Sequence, residues 1–438
     1  MVIVETKKEY RKFARIFSKE DSIVIPIECD FNKHPRSTRL CILYVKTIDK
    51  DSKEYILPFR HSDTLNLEEH IIDSLWTPKN VYTHDKKKLL HFFDWKNTHD
   101  VQMNHYLEKN EPLSIDDILT NAHEYFYRKY YGKSNINCVI PIMKHLEWCR
   151  KVVEVLKVAG IIGLKETQSV YNIYNEDVLE NLQKIESNGL QTVDGMVYSE
   201  YNPYTATGRP SNRFGGLNFA ALNKKDGSRK KFVSRYGKEG MLVEMDYDAY
   251  HLRLIGEVVD YQFPKGSVHN HMAKLYDTDY DEAKSLSFQF LYGHIPDEVI
   301  KTNPFFAKVQ VYIDEVWSQY KSMNFIESYI YNKRIYKKNL SDMNKNKVFN
   351  YLIQLMETEN NMKILTELLP KIDGYKSKLV LYSYDSFLFD FYLPDGLDFL
   401  QKVKGIIEQK GKFPVKVGKG WNYHEMEDIT RKFKWLQI

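Results

Sequence analysis

Three stretches of the chain combine residue types able to handle phosphate. The first, MLVEMDYDAYHLRLIGEV over residues 241–258, ends an apolar run on Asp246 and turns at once into a helical pattern, which puts a carboxylate at a strand end. The second, LYSYDSFLFDF over 381–391, sets Asp385 between two strand-like runs, in the place of a tight turn. The third, DEAKSLSFQFLYG over 281–293, spaces Lys284, Phe288 and Tyr292 at i, i+4 and i+8. An ammonium and two rings therefore line one helix face before Gly293 stops it. Phosphoryl transfer asks little covalent help of a protein but needs cations to neutralise the nucleophile, the transferred group and the leaving group. Carboxylates on neighbouring strand ends hold such ions, and a Lys with aromatic rings can hold a triphosphate and a base. We read the three stretches as meeting around a nucleotide. Strand pattern alone makes neither Asp catalytic, and Phe288 and Tyr292 equally suit the buried face of an ordinary amphipathic helix. Asn350, Gln354 and Glu357 likewise share a face of NYLIQLMETENNMKIL, a polar stripe able to touch bases or water.

The elements that must position these residues mix strands and helices. Over 22–59 the runs SIVIPIECD, RLCILYVKT and KEYILPF read as strands; LEEHIIDSLW and KKKLLHFFDW read as helices around a strand-like VYTH. Residues 115–164 are mostly helical in pattern, with HLEWCRKVVEVLKVAG the clearest amphipathic piece, Gly160 its stop, and Trp148 and the valines its core side. The pattern lapses over 163–171, so we divide the chain of 438 residues into 1–165 and 166–438, an α/β protein without internal repeats. No apolar run approaches the ~20 residues that cross a bilayer, and the start lacks a signal peptide's apolar segment. The expectation is a soluble, cytoplasmic protein with no membrane partner. Four cysteines (Cys29, Cys41, Cys138, Cys149) have neither disulfide-scaffold density nor paired zinc-site spacing, so they are expected to be reduced and structural, with no zinc. The net charge of +4 says little about a nucleic-acid partner, because clustering matters more than the total. Two clusters exist, KKDGSRKKF over 224–232 and YNKRIYKK over 331–338, suited to tracking phosphates or equally to plain surface charge.

The order TATGRPSN…LN (205–218), MDYDAYHLRLIGE, K-x7-YG, N-x3-Q and YSYDS resembles the polymerase half of family A DNA polymerases, the bacterial DNA polymerase I type. The resemblance implies an α+β palm and fingers preceded by a ribonuclease-H-like, exonuclease-type domain. It implies a template-directed DNA polymerase that adds deoxynucleotides to a primer 3′ end with two Mg²⁺ ions, Mn²⁺ serving as well. Its partners would be primer-template DNA and deoxynucleoside triphosphates. On the matching positions, Asp246 and Asp385 become the catalytic, metal-binding carboxylates, assisted by the backbone carbonyl of Tyr247. Lys284 would hold the triphosphate, Phe288 stack on the nucleoside, Tyr292 guard the templating position and His269 touch the triphosphate, with His251 in the same nucleotide pocket. Arg209, Asn350 and Gln354, with Arg253 and Tyr384, fall on DNA-contacting positions.

The chain departs from that pattern in ways that bear on function. Tyr280 replaces an arginine that contacts phosphate, His251 replaces the glutamate that helps exclude a ribose 2′-OH, and Ser386 replaces the second carboxylate of the last motif. An Asp-Ser pair also occurs in the related single-subunit RNA polymerases. The long helical thumb is missing: about ten residues separate Gly195 from Thr205. Duplex affinity should then rest on phosphate contacts, or on a processivity or thumb-replacing protein. In the first domain, which resembles the proofreading exonuclease over FDWKNTHDVQMNHYLEKNEPLSIDDIL, the first acidic motif reads Pro26-Ile27-Glu28. Leu89 holds an expected aspartate if Asp85 is aligned, and no third motif is visible; Glu28, Asp30 and Asp100 survive as carboxylates. We expect a nuclease relic and no proofreading. The whole reads as a compact, viral type of enzyme, the abundance of Lys, Asn, Tyr and Ile suiting an AT-rich genome. The alternatives are a non-catalytic replication subunit and an enzyme making RNA or primers.

Overall fold

SIVIPIE, apolar at nearly every position, has the composition of a strand covered on both faces. In the computed structural model it lies inside a six-stranded sheet ordered β1 (Val2–Ile3), β4 (Glu54–Pro58), β3 (Leu40–Thr47), β2 (Ser22–Glu28), β5 (Val81–Thr83), β6 (Thr98–Asp100). The structure describes residues 1–431 except 32, 49–50, 75–78, 114, 116–134, 161–167, 215–216, 219–221 and 224–225. It divides into two compact units, Met1–Ser187 and Asn188–Ile438. The boundary expected between 165 and 166 lies outside the described residues.

In the N-terminal unit β2 pairs antiparallel with β3 and parallel with β5, so the sheet is mixed. Side chains alternate along β2: Val24 joins one core with Phe13, Phe17 and Trp95, while Ile23, Ile25 and Ile27 join another with Trp148, Val152 and Leu156. Helix α1 (Lys7–Phe17), started by a Thr6–Glu9 capping box, supplies the first core. Short helices α2 (His70–Ser74), α3 (Lys86–Leu90) and α4 (Val101–Lys109) follow in sequence, and α5 (Ile142–Val158) supplies the second core. KKKLLHFFDW is helical only to Leu90. Asp100, caught at the head of α4, accepts from the N–H groups of Met103 (2.7 Å) and Lys86 (2.8 Å), and burial, then the neighbouring Asp85, push its carboxyl up to about 7. Of the surviving carboxylates, Glu28 pairs with Lys88 at 2.7 Å and Asp30 with Lys33 at 3.6 Å. The unit closes with α6 (Gln168–Ile173), a π-helical turn, and α7 (Leu179–Asn188).

The second unit is built on an antiparallel sheet ordered β15 (Lys378–Ser383), β16 (Ser386–Tyr392), β12 (Gly240–Tyr247), β17 (Val415–Gly420), β18 (Glu427–Asp428). Before it come β7 (Leu190–Thr192), β8 (Gly195–Val197), β9 (Glu200–Asn202), β10 (Ser211–Phe214) and β11 (Leu217–Asn218), so the chain from 189 to 205 holds no helix. After β12 the chain runs through α8 (Tyr250–Val258), α9 (Val268–Tyr276), α10 (Tyr280–Tyr292), α11 (Asp297–Thr302) and α12 (Pro304–Met323). The hairpin β13 (Phe325–Glu327) and β14 (Arg334–Tyr336) leads into α13 (Lys345–Ile372); α14 (Gly396–Ile407) follows β16. Helix α13 packs against α8, α10, α12 and α14 and is thereby the spine of the unit. Lys333 of the basic run YNKRIYKK is not on the surface: it is 1% exposed, facing Glu359.

Candidate nucleotide and metal site

Strand β12 is central in its sheet, and alternation decides which of its residues reach the open face. Met245 and Tyr247 are buried, whereas Glu244 and Asp246 lie half-buried on the other side. Asp246 stands opposite Ser386 in the antiparallel register, and the Tyr247 N–H donates to the Asp385 carbonyl at 3.0 Å. The two aspartates thus leave the backbone from adjoining strand ends.

Asp385 is held by a tight hairpin. Ser383 pairs with Ser386, leaving Tyr384 and Asp385 as the two-residue loop, and Tyr384 takes φ 59°, a left-handed conformation that suits glycine. For a bulky residue such a conformation costs of order 1–3 kcal/mol. Two contacts offset it: Asn361 Nδ2 donates to the Tyr384 carbonyl at 2.7 Å, and the Arg209 guanidinium sits 3.8 Å above the Tyr384 ring. The other acid of that hairpin, Asp390, is 0% exposed and taken up by Ser234 and Arg235, a structural carboxylate.

Around this hairpin the structure gathers most residues singled out in the sequence. Glu357, 1% exposed on α13, accepts from Arg209 Nη2 at 3.2 Å, forms an ion pair with Arg209 Nε at 2.9 Å and lies 3.3 Å from His251 Nε2; the other His251 nitrogen meets the Tyr292 hydroxyl. Burial raises the Glu357 carboxyl, but His251 and Arg209 more than offset this and hold it below the usual carboxylate range. Asp385 is pushed the other way, by burial and then by the Glu357 charge. Gln354 accepts from the Thr207 hydroxyl at 3.2 Å, and Asn350 donates to the Tyr292 carbonyl at 3.1 Å. On α10 the rings of Phe288 and Tyr292 are parallel, 6.0 Å apart, with His269 5.9 Å from Phe288 and Lys284 exposed on the same helix. Burial holds His269 down to about 4, which makes it neutral at pH 7. Arg253 gives its guanidinium to the Asp248 and Gly266 carbonyls. Tyr247 is buried, its hydroxyl donating to the Ile407 carbonyl.

Two further residues belong to this surface. Glu244, on the same face of β12 as Asp246, accepts from Ser386 Oγ at 3.0 Å and from the Tyr423 hydroxyl at 2.7 Å. A carboxylate therefore stands beside Ser386, two residues before Asp246; the alternation in VEMD was the signal for it. On β17, Lys416 reaches Asp248 at 3.2 Å and the Tyr280 hydroxyl at 3.2 Å, so a cation lies at the start of α10 where Tyr280 brings none.

Asp246 and Asp385 bring two carboxylates to adjoining strand ends, oxygen donors of the kind hard divalent ions take. The raised carboxyl of Asp385 fits such a use, since a cation would relieve what burial and Glu357 impose.

Comparison with solved structures defines the fold of the chain as that of a polymerase domain. The structure is similar to the POL domain of Pol1 from M. smegmatis, solved in complex with DNA primer-template and dNTP: the TM-score is 0.70 at 13% identity, covering 97% of this chain and 99% of that one. No family model matches the sequence, and no curated protein matches it.

Proposed function

We propose that the chain is a template-directed DNA polymerase of the family A type, which adds deoxynucleotides to a primer 3′ end. The observation that carries this reading is the pairing of Asp246 and Asp385 on adjoining strand ends, ringed by Arg209, Tyr292, Asn350 and Gln354. The fold supports it, because the M. smegmatis POL domain was solved with DNA primer-template and dNTP, ligands we extend to this chain.

Asp246, Asp385 and the Tyr247 carbonyl would hold Mg²⁺, which when bound neutralises charge on the reacting phosphate and both oxygens in line with it. Lys284, exposed on α10, and Lys416 offer the triphosphate two ammonium groups, the second standing in for the arginine absent at Tyr280. Phe288 gives the base a flat apolar face. Neutral His269 donates or accepts a hydrogen bond without adding charge. The Glu357 carboxylate holds Arg209 over Tyr384 and so fixes the hairpin that carries Asp385. Because 189–205 holds no helix that could serve as a thumb, grip on the duplex would rest on phosphate contacts, on the helices between Ile115 and Gly160, or on a separate protein.

Primer extension at low salt, with Mg²⁺ and all four deoxynucleotides, tests the reading: template-dependent product supports it, and no product with enzyme in excess sinks it. A ribonucleotide-using variant of the same chemistry is favoured by one observation, His251 against Tyr292 where a glutamate would exclude the 2′-OH. A strong preference for deoxynucleotides in a competition assay rules that variant out.

A further inference from the structure

Three cysteines far apart in sequence meet in the N-terminal unit. Cys29 follows β2, Cys41 lies in β3, and Cys138 ends the short turn Ile136–Cys138; their Sγ atoms lie within 4.8 Å of one another. Cys29 and Cys41 are 2% and 0% exposed, and Cys138 is half-buried, leaving an approach from its side.

Backbone hydrogen bonds hold the three segments in place around the thiols. The Cys29 N–H donates to the Arg39 carbonyl at 2.7 Å, the Asn137 N–H donates to the Cys29 carbonyl at 3.1 Å, and the Ser62 N–H donates to the Cys138 carbonyl at 2.9 Å. Asn137 Nδ2 adds a bond to the Glu28 carbonyl at 2.7 Å. Cys41 Sγ lies 3.4 Å from the Arg60 carbonyl oxygen, a further donor beside the triad. A zinc ion with Zn–S bonds of about 2.3 Å spaces its sulfurs about 3.8 Å apart, so closing the triad by at most about 1 Å seats an ion.

We propose that Cys29, Cys41 and Cys138 bind one thiophilic metal ion of the Zn²⁺ class, with the Arg60 carbonyl oxygen or a water as fourth ligand. Sulfur donors select such ions over Mg²⁺ and Ca²⁺. Three thiolates cannot accumulate within 4.8 Å without a cation among them, so the protons leave as the ion arrives, three S–H bonds giving three metal–sulfur bonds and three protons to solvent. The resulting charge of −1 lies near Arg60, whose guanidinium pairs with Glu69. A disulfide would use two of the thiols and strand the third, whereas one ion uses all three. The ion ties β2, β3 and the turn that leads into α5 together. The spacing of the three cysteines matches no sequence pattern for zinc, because the triad is created by the pairing of β2 with β3 and by a return of the chain about a hundred residues later.

The test is a Co²⁺ titration of the full chain, purified with reductant and stripped by chelator. The expected result is a sulfur-to-cobalt charge-transfer band that saturates at one ion per chain and disappears on adding Zn²⁺. Cys29→Ser, Cys41→Ser and Cys138→Ser should each weaken Co²⁺ binding by about tenfold or more, while Cys149→Ser, outside the triad, leaves it unchanged. No band from the folded, unaltered chain overturns the proposal, whatever the variants do. Co²⁺ affinity left unchanged by Cys138→Ser overturns it too, as does protein isolated without reductant that holds no metal and shows fewer than four free thiols on denaturation.

Discussion

Replacing Glu357 with glutamine keeps the size of a buried side chain and removes its charge, and two consequences with separate readouts follow. The carboxylate is 1% exposed and holds Arg209 at 2.9 Å, so the variant leaves a guanidinium facing a neutral amide. Breaking one partner of a buried ion pair costs about 3–5 kcal/mol, and the low end, about 3 kcal/mol, applies here because the Arg209 side chain is 26% exposed and can rehydrate. Glu357 has a depressed pKa in the folded state, so its stabilisation is complete above the unfolded value and is lost as pH falls through the folded one. At pH 7 the variant should show the whole loss, as a lowered urea midpoint with an unchanged slope. The second consequence concerns Asp385, whose carboxyl is raised by burial and then by Glu357. Removing the second cause lowers its pKa, so Asp385 stays ionised to lower pH. The acid limb of nucleotide incorporation should move down in pH even as the protein becomes less stable. An unchanged urea midpoint, or an acid limb that moves up, would refute this account of the network.

Other expectations concern the substrate, the duplex and the first unit. Lys284→Ala should raise KM for the incoming nucleotide about tenfold, roughly 1.4 kcal/mol, with a smaller change in kcat in steady-state primer extension; the converse split would place Lys284 outside ground-state binding. Primer-template affinity, measured by fluorescence anisotropy, should fall steeply and linearly in log–log plots against salt, by about 0.9 per phosphate contact. A flat dependence would mean that something other than phosphate holds the duplex. Single-stranded DNA incubated with Mg²⁺ or Mn²⁺ should show no 3′ trimming, since Asp100 serves as a helix cap and Glu28 pairs with Lys88; trimming that Asp30→Ala abolishes would overturn this.

Much of the candidate site could be read from short-range pattern. An apolar run closing on Asp246, the 4-residue spacing of Lys284, Phe288 and Tyr292, and the stripe of Asn350, Gln354 and Glu357 each follow from one element's own period. The α/β character followed equally from alternating strand and helix patterns. What pattern could not give was set by pairing between distant segments. Lys416 reaches Asp248 because β17 lies beside β12 in the sheet. His251 meets Glu357 because α8 packs on α13, a contact between residues a hundred positions apart. Arg253, on a DNA-contacting position in the resemblance, also donates to the Gly266 carbonyl, a partner set by the turn after α8 and not by the helix period. Basic clustering also misled at Lys333, which a short hairpin folds inward against Glu359. The cysteine triad belongs to the same class, being invisible until the strands are registered.

The central claim is that Asp246 and Asp385 act together in nucleotide addition, and single-turnover incorporation tests it most directly. With primer-template, Mg²⁺ and the templated deoxynucleotide, the unaltered chain should extend the primer by one residue. Asp246→Asn and Asp385→Asn, folded by circular dichroism, should each slow that step about a thousandfold or more, the several kcal/mol that ion-held charge contributes. Incorporation that persists undiminished in Asp246→Asn would contradict the account.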